Sequence, residues 1–113
     1  MSEHIAVIEQ AGVLEIHIDR PDKKNALTTA MYRAMTAALA DASARADIGA
    51  VLFAGRGDAF CAGNDLKDFL AGPEGGAAAF AFIRAIVAFD KPLVAAVQGL
   101  AVGVGTTMLF HCD

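Results

Sequence analysis

The sequence predicts an α/β fold in which short strands feed helices through glycine-bearing turns. Three observations carry that expectation. The chain opens with two alternating apolar–polar runs on either side of Ala11-Gly12. Two later apolar runs, at 49–54 and 93–97, lack clear alternation and read as buried strands. Helix-period stretches follow the hairpin and each of those runs, so the order is ββα, then βαα, then βα.

Residues 5–9 and 13–19 form a hairpin of half-buried strands, with His17 as a cross-strand polar residue. Pro21 stops the second strand and opens the charged loop 20–27. Thr28 or Thr29 then caps a long helix running to about Arg45, with Met31, Met35, Ala38, Leu39 and Ala42 on one face. The strand at 49–54 leads into Gly55-Arg-Gly57-Asp-Ala-Phe60-Cys-Ala-Gly63-Asn-Asp-Leu66, a glycine-punctuated turn opening a helix near Asp65. After a Gly/Pro-rich break at 71–76 comes a helix carrying Phe80, Ile83, Ile86 and Val87 on one face, ending near Phe89. The strand at 93–97 is broken by Gln98-Gly99, Gly103 and Gly105, and residues 106–110 suit a short buried helix.

With 113 residues the chain is one domain at most. Hydrophobic residues make up 56% and mean hydropathy is +0.48, high enough that both faces of a sheet should be covered or apolar surface should meet something else. A net charge of −4 argues against nucleic acid as a partner. Cys61 and Cys112 have no metal or disulfide spacing, so no metal site is expected and both read as free thiols in a reducing cytoplasm. The start, Met1-Ser-Glu-His-Ile5, has no basic or apolar signal-peptide region.

The two glycine turns are the informative feature. Each presents backbone N–H groups at a helix start, and parallel neighbouring strands would bring both turns to one sheet edge. Two N–H donors converging on one point make an oxyanion hole, each worth roughly 3–4 kcal/mol of barrier. No Gly-x-Ser-x-Gly elbow and no Cys/His pair accompanies them, which suggests enolate chemistry rather than acyl transfer to the protein. Three alternatives fit part of the pattern. A membrane span over 92–110 is opposed by Gln98, Thr106 and Thr107; a dinucleotide fingerprint lacks its third glycine, with Met108 in that place; a plain core strand–helix unit needs no ligand at all.

Three motifs, Arg20-Pro…Asn25-Ala-Leu27, Phe60-Cys-Ala-Gly63-Asn-Asp-Leu66-Lys and Lys91-Pro92…Gln98-Gly-Leu-Ala-Val-Gly103, together resemble the enoyl-CoA hydratase/isomerase, or crotonase, superfamily. The resemblance covers the whole chain. It implies a crotonase-like spiral of ββα units, of which residues 1–113 would be the N-terminal portion of a single domain, incomplete at the C-terminus. It also implies trimers or dimers of trimers, and an acyl-CoA or enoyl-CoA thioester as partner, with coenzyme A part of the substrate and no separate cofactor. By motif position the carbonyl oxygen is held by the N–H groups of Asn64 and Val104. Lys24, Ala26, Ala62, Asp65, Leu66, Lys67, Leu100 and Thr107 match substrate-binding positions, and Lys24 and Lys67 would offset phosphate charge.

Thr107 departs from the hydratases, which carry a glutamate there. A threonine hydroxyl is no base near neutral pH, so hydration by two glutamates is disfavoured. The Ala101-Val-Gly-Val-Gly-Thr-Thr107 pattern is more similar to the Δ3,Δ2-enoyl-CoA isomerase branch, whose single glutamate lies further along the chain than Asp113. Double-bond isomerisation in fatty acid oxidation is therefore expected, with a hydratase or a non-catalytic acyl-CoA-binding fragment as alternatives. Asp65 and Asp68 are the candidate substitute bases within the chain, although acidic residues in a helix's first turn are commonly dipole partners.

Overall fold

The computed structural model describes residues 3–113, so Met1 and Ser2 of the expected leaderless start lie outside the described residues. Strands β1 (Ile5–Gln10) and β2 (Val13–Ile18) pair antiparallel, with Ile5 opposite Ile18 and Gln10 opposite Val13. Ala11 at φ 54° and Gly12 at φ 81° supply the left-handed pair that a two-residue hairpin needs. β2 runs parallel to β3 (Ala50–Gly55), and β3 parallel to β5 (Leu93–Ala96), giving the sheet order β1-β2-β3-β5. A second, two-stranded parallel sheet joins β4 (Ala59–Cys61) to β6 (Leu100–Ala101). The helices are α1 (Thr29–Ala44), α2 (Leu66–Phe69), α3 (Glu74–Ala88) and α4 (Val104–Thr107), the last continuing into a 3-10 turn at Met108–His111.

The order is thus ββα three times: β1-β2-α1, β3-β4 with α2 and α3, and β5-β6-α4. This is the repeat that the family resemblance implied. Residue patterning alone missed β4 and β6, because strands of three and two residues are too short to show a period. Their pairing depends on partners about 40 positions away in the chain, between Ala59–Cys61 and Leu100–Ala101.

Alternation sets one apolar sheet face. Leu14, Ile16 and Ile18 of β2, Val51 and Phe53 of β3 and Leu93 of β5 are buried in one cluster with Met31, Tyr32, Met35 and Leu39 of α1 and Phe82 and Ile86 of α3. The other face, with Ile8, Glu15, His17, Leu52, Val94 and Ala96, is only partly buried or exposed. β5 is therefore not the fully buried strand expected, since only Leu93 is enclosed. His17 also has a different partner from the one expected. Its Nε2 meets Glu15 Oε1 at 2.8 Å, two residues back on the same strand, while Ala6 lies across from it.

α1 begins as expected, with Thr28 Oγ1 accepting from Met31 N at 3.2 Å. At its far end the Lys91 ammonium donates to the carbonyls of Ala42, Arg45 and Ile48 at 2.7, 2.7 and 2.9 Å. α3 departs from expectation in both start and face. It begins at Glu74, inside the supposed break, and buries Gly75, Ala78, Phe82 and Ile86, leaving Phe80 64% and Val87 61% exposed. The helix is apolar on nearly every side, so periodicity could not single out the stripe. Close approach to α1 selects the one bearing Gly75 and Ala78.

The 92–110 stretch is divided among β5, β6, α4 and the 3-10 turn. Among the described residues no helix is long and apolar enough to cross a membrane, and no group of three or more His, Cys, Asp or Glu side chains could hold a metal ion. Cys61 and Cys112 are free thiols.

Candidate functional site

Three backbone segments lie side by side where the small sheet ends. The middle one is 61–65. On one side Ala62 N donates to Lys24 O at 3.1 Å, Leu27 N to Gly63 O at 2.7 Å, and Asp65 N to Leu27 O at 2.9 Å. On the other side Cys61 pairs with Ala101, and Val102 N donates to Cys61 O at 3.0 Å. Leu27 forms a parallel bridge to Asn64 by bonding residues 63 and 65. In such a bridge the N–H and C=O of the central residue point away from the partner, here away from Leu27.

Gly63 is what allows the segments this close. Gly63 and Gly103 both have positive φ, 90° and 60°, and they touch at ordinary van der Waals distance, a Cβ on either lying 3.7 Å from the other's Cα. A Cβ on Gly63 would also lie 2.9 Å from Val102 O, a backbone atom that cannot swing aside. The two turns expected to share a sheet edge do meet, but on the β4–β6 sheet rather than at the ends of β3 and β5. Among the described residues the N–H groups of Asn64 and Val104 donate to nothing. α2 and α4 have only four residues each, so the field expected of a helix start is weak here. What the turns offer is individual N–H donors.

The side chains around this backbone are mostly committed. Tyr32 OH donates to Asn64 Oδ1. Burial pushes the Tyr32 phenol above its ordinary range, so it stays a neutral donor. Its ring packs on Phe82, centroids 5.7 Å apart, and Phe82 meets Phe53 edge-on at 6.0 Å. Asp65 caps α2 through Asp68 N at 2.9 Å and pairs with Arg20 Nη1 at 2.8 Å; those two contacts hold its carboxyl below the usual carboxylate range. Asp68 Oδ2 accepts from Thr29 N and Thr29 Oγ1, both at 2.7 Å. Both candidate substitute bases are therefore engaged with partners inside the chain. The Cys61 thiol, buried and pushed up to about 11, is unsuited to act as a nucleophile.

Lys24, Ala26, Ala62, Asn64, Asp65 and Val104 are thus brought into adjoining segments. The Lys24 contribution is its carbonyl, since its ammonium turns outward to Asp58 Oδ2 at 2.9 Å. Ala26 O accepts from Arg20 Nη1 at 3.1 Å. Leu66 and Lys67 follow on α2, Leu100 stands on β6, and Thr107 ends α4, all with exposed side chains. Thr107 Oγ1 donates back to Gly103 O at 3.2 Å. A groove of about 730 Å³ between β1 and α1, lined by Val7, Ala30, Arg33 and Ala34, includes none of these residues.

Sequence reasoning gave no role to Asn25 or Tyr32. Asn25 is fully buried at φ 61°; its Oδ1 accepts from Arg20 N at 2.8 Å, and its Nδ2 donates to Arg56 O at 2.9 Å and Ala59 O at 2.7 Å, tying the 20–27 loop to β4. A signal for Tyr32 existed. It sits beside Met31 and Met35 on the buried face of α1, and a buried tyrosine hydroxyl requires a partner.

A mixed α/β chain built from ββα units, with two glycine turns joined backbone to backbone, defines a class, and comparison with known proteins agrees with it. The model of the enoyl-CoA hydratase/isomerase family matches residues 8–113. The chain belongs to that family, and its fold matches the N-terminal part of crotonase-fold structures. It is 38% identical to enoyl-CoA delta isomerase 2 of Rattus norvegicus over 96% of this chain and 29% of that protein. It is also 38% identical to the peroxisomal enoyl-CoA delta isomerase 3 of Mus musculus, over 99% of this chain and 38% of the relative. The structure of Pseudomonas aeruginosa OdaA superposes with a TM-score of 0.89 at 48% identity, covering 99% of this chain and 46% of that one. The chain therefore spans less than half the length of each of these relatives.

Proposed function

We propose that residues 1–113 form the N-terminal portion of a longer crotonase-like domain that binds an enoyl-CoA thioester and shifts its double bond. The observation that carries this is the pair of unpartnered N–H groups, Asn64 and Val104, on two turns held together at Gly63 and Gly103. The thioester carbonyl oxygen would accept from both, and the negative charge that builds on it as the enolate forms would be stabilised in place. Ala62, Asp65, Leu66, Leu100 and Thr107 would border the acyl-CoA, with Ala26 and Lys24 contributing loop backbone; the exposed Lys67 would meet phosphate charge, since the Lys24 ammonium is already paired with Asp58.

Isomerisation is favoured over hydration because no acid–base group stands at Thr107, and the mammalian relatives above are named as delta isomerases. The proton would be moved by a carboxylate outside these residues, since Asp65 and Asp68 are already engaged. Assembly as a trimer or hexamer belongs to the same proposal. Free thiols suit a reducing compartment, the cytoplasm or, as in the name of the mouse relative, the peroxisome.

The test is a paired assay on the longer protein, following trans-3-enoyl-CoA conversion to the trans-2 isomer and hydration of trans-2-enoyl-CoA. Isomerisation without hydration is expected. Efficient hydration would place a second acid–base group in the site and overturn the single-base scheme.

A further inference from the structure

Asn64 is an awkward residue for its position. Asparagine side chains readily turn back onto nearby backbone N–H groups, as in Asx turns and helix caps. Here the Asn64 amide lies at a turn with two unpartnered N–H groups, its own and that of Val104 across the Gly63–Gly103 contact. An unengaged Oδ1 at this turn would be an internal competitor for the donors that a bound carbonyl oxygen needs. The structure removes that competitor by giving Oδ1 to the Tyr32 hydroxyl.

Tyr32 is well suited to the task. It is fully buried on α1, its ring is fixed against Phe82, and Phe82 is fixed in turn against Phe53 of β3. The hydroxyl is therefore aimed by the core rather than by the site. Asn64 is held from the opposite side by the Leu27 bridge, which fixes both peptides flanking it. We propose that Tyr32 is a positioning residue that keeps the Asn64 amide oxygen out of the carbonyl-binding site, leaving the Asn64 and Val104 N–H groups for a thioester oxygen. This deepens the oxyanion reading of the same turns and rests on it.

The test compares Tyr32→Phe, Asn64→Ala and the double variant in the longer protein. Each is bound to a saturated acyl-CoA labelled with carbon-13 at the thioester carbonyl, and the carbonyl stretch is read by difference infrared spectroscopy. In the wild type the band should move to lower frequency on binding. Tyr32→Phe keeps the ring packing but frees Oδ1, so the band should return toward its solution position and turnover should fall about tenfold. Asn64→Ala keeps the backbone N–H and removes the competing oxygen. The double variant should therefore recover most of the shift and of the rate, a rescue that loss of packing alone would not give.

A full shift in Tyr32→Phe, or a double variant no better than Tyr32→Phe, would overturn the positioning role while leaving the oxyanion reading intact. Absence of any shift in the wild type would instead sink the oxyanion reading itself. Thermal melting of each variant separates all of these outcomes from simple misfolding.

Discussion

Gly63 shows how narrowly one residue can be determined. Its φ of 90° strains any side chain, and a Cβ would meet Val102 O at 2.9 Å. Gly63→Ala is expected to cost about 2–3 kcal/mol, read by urea unfolding, and to weaken acyl-CoA binding by parting the two turns. Asp65 makes a second residue-scale prediction. Its folded pKa is depressed by the Asp68 N–H and Arg20, below the ordinary 3.8. The stability it contributes is present above that ordinary value and is lost as pH falls through the lower folded one. Asp65→Asn should therefore flatten the acid limb of a stability–pH curve below about pH 4 while lowering stability at neutral pH; parallel curves for the two proteins would contradict this.

At the scale of elements, α1 organises the molecule. Its buried face carries Met31, Tyr32, Met35, Ala38, Leu39 and Ala42, and sequence narrowed its cap to Thr28 or Thr29, of which the structure uses Thr28. Its far end depends on a residue the helix does not contain. Lys91, just ahead of β5, supplies three hydrogen bonds to carbonyls at and beyond the helix end. Lys91→Met leaves those acceptors without a charged donor and is expected to cost about 2–3 kcal/mol, with faster amide exchange in the last turn of α1. Unchanged exchange there would show that water replaces the ammonium without loss. α3 gives the contrasting case. An apolar helix leaves several possible faces, and only packing against α1 selects the one with Gly75 and Ala78.

For the whole molecule, the main sheet is covered by helices on one face, while the other bears Ile8, Leu52, Val94 and Ala96 around the Glu15–His17 pair. Elsewhere Leu70 is 79% and Phe110 84% exposed. Residues 1–113 prepared alone are expected to associate as concentration rises, and sedimentation velocity would reveal it. A single monomeric species at every concentration would mean that this surface is tolerated in water.

Sequence by itself determined the hairpin, the approximate span of α1 with its cap to within one residue, strand β3, the glycine turns and, through three motifs, the family. These are local signals: alternation, capping chemistry, and glycines where φ must be positive. Tertiary structure alone decided the rest. β4 and β6 become strands only because Ala59–Cys61 and Leu100–Ala101 find each other across the chain. The bridge from Leu27 to Asn64, the contact of Gly63 with Gly103, and the Tyr32 hydroxyl on Asn64 likewise join residues far apart in sequence. The candidate site is made of such contacts. Its donors could be named from a motif, but their freedom to bind an oxygen depends on which distant groups occupy the neighbouring acceptors, and no local pattern encodes that.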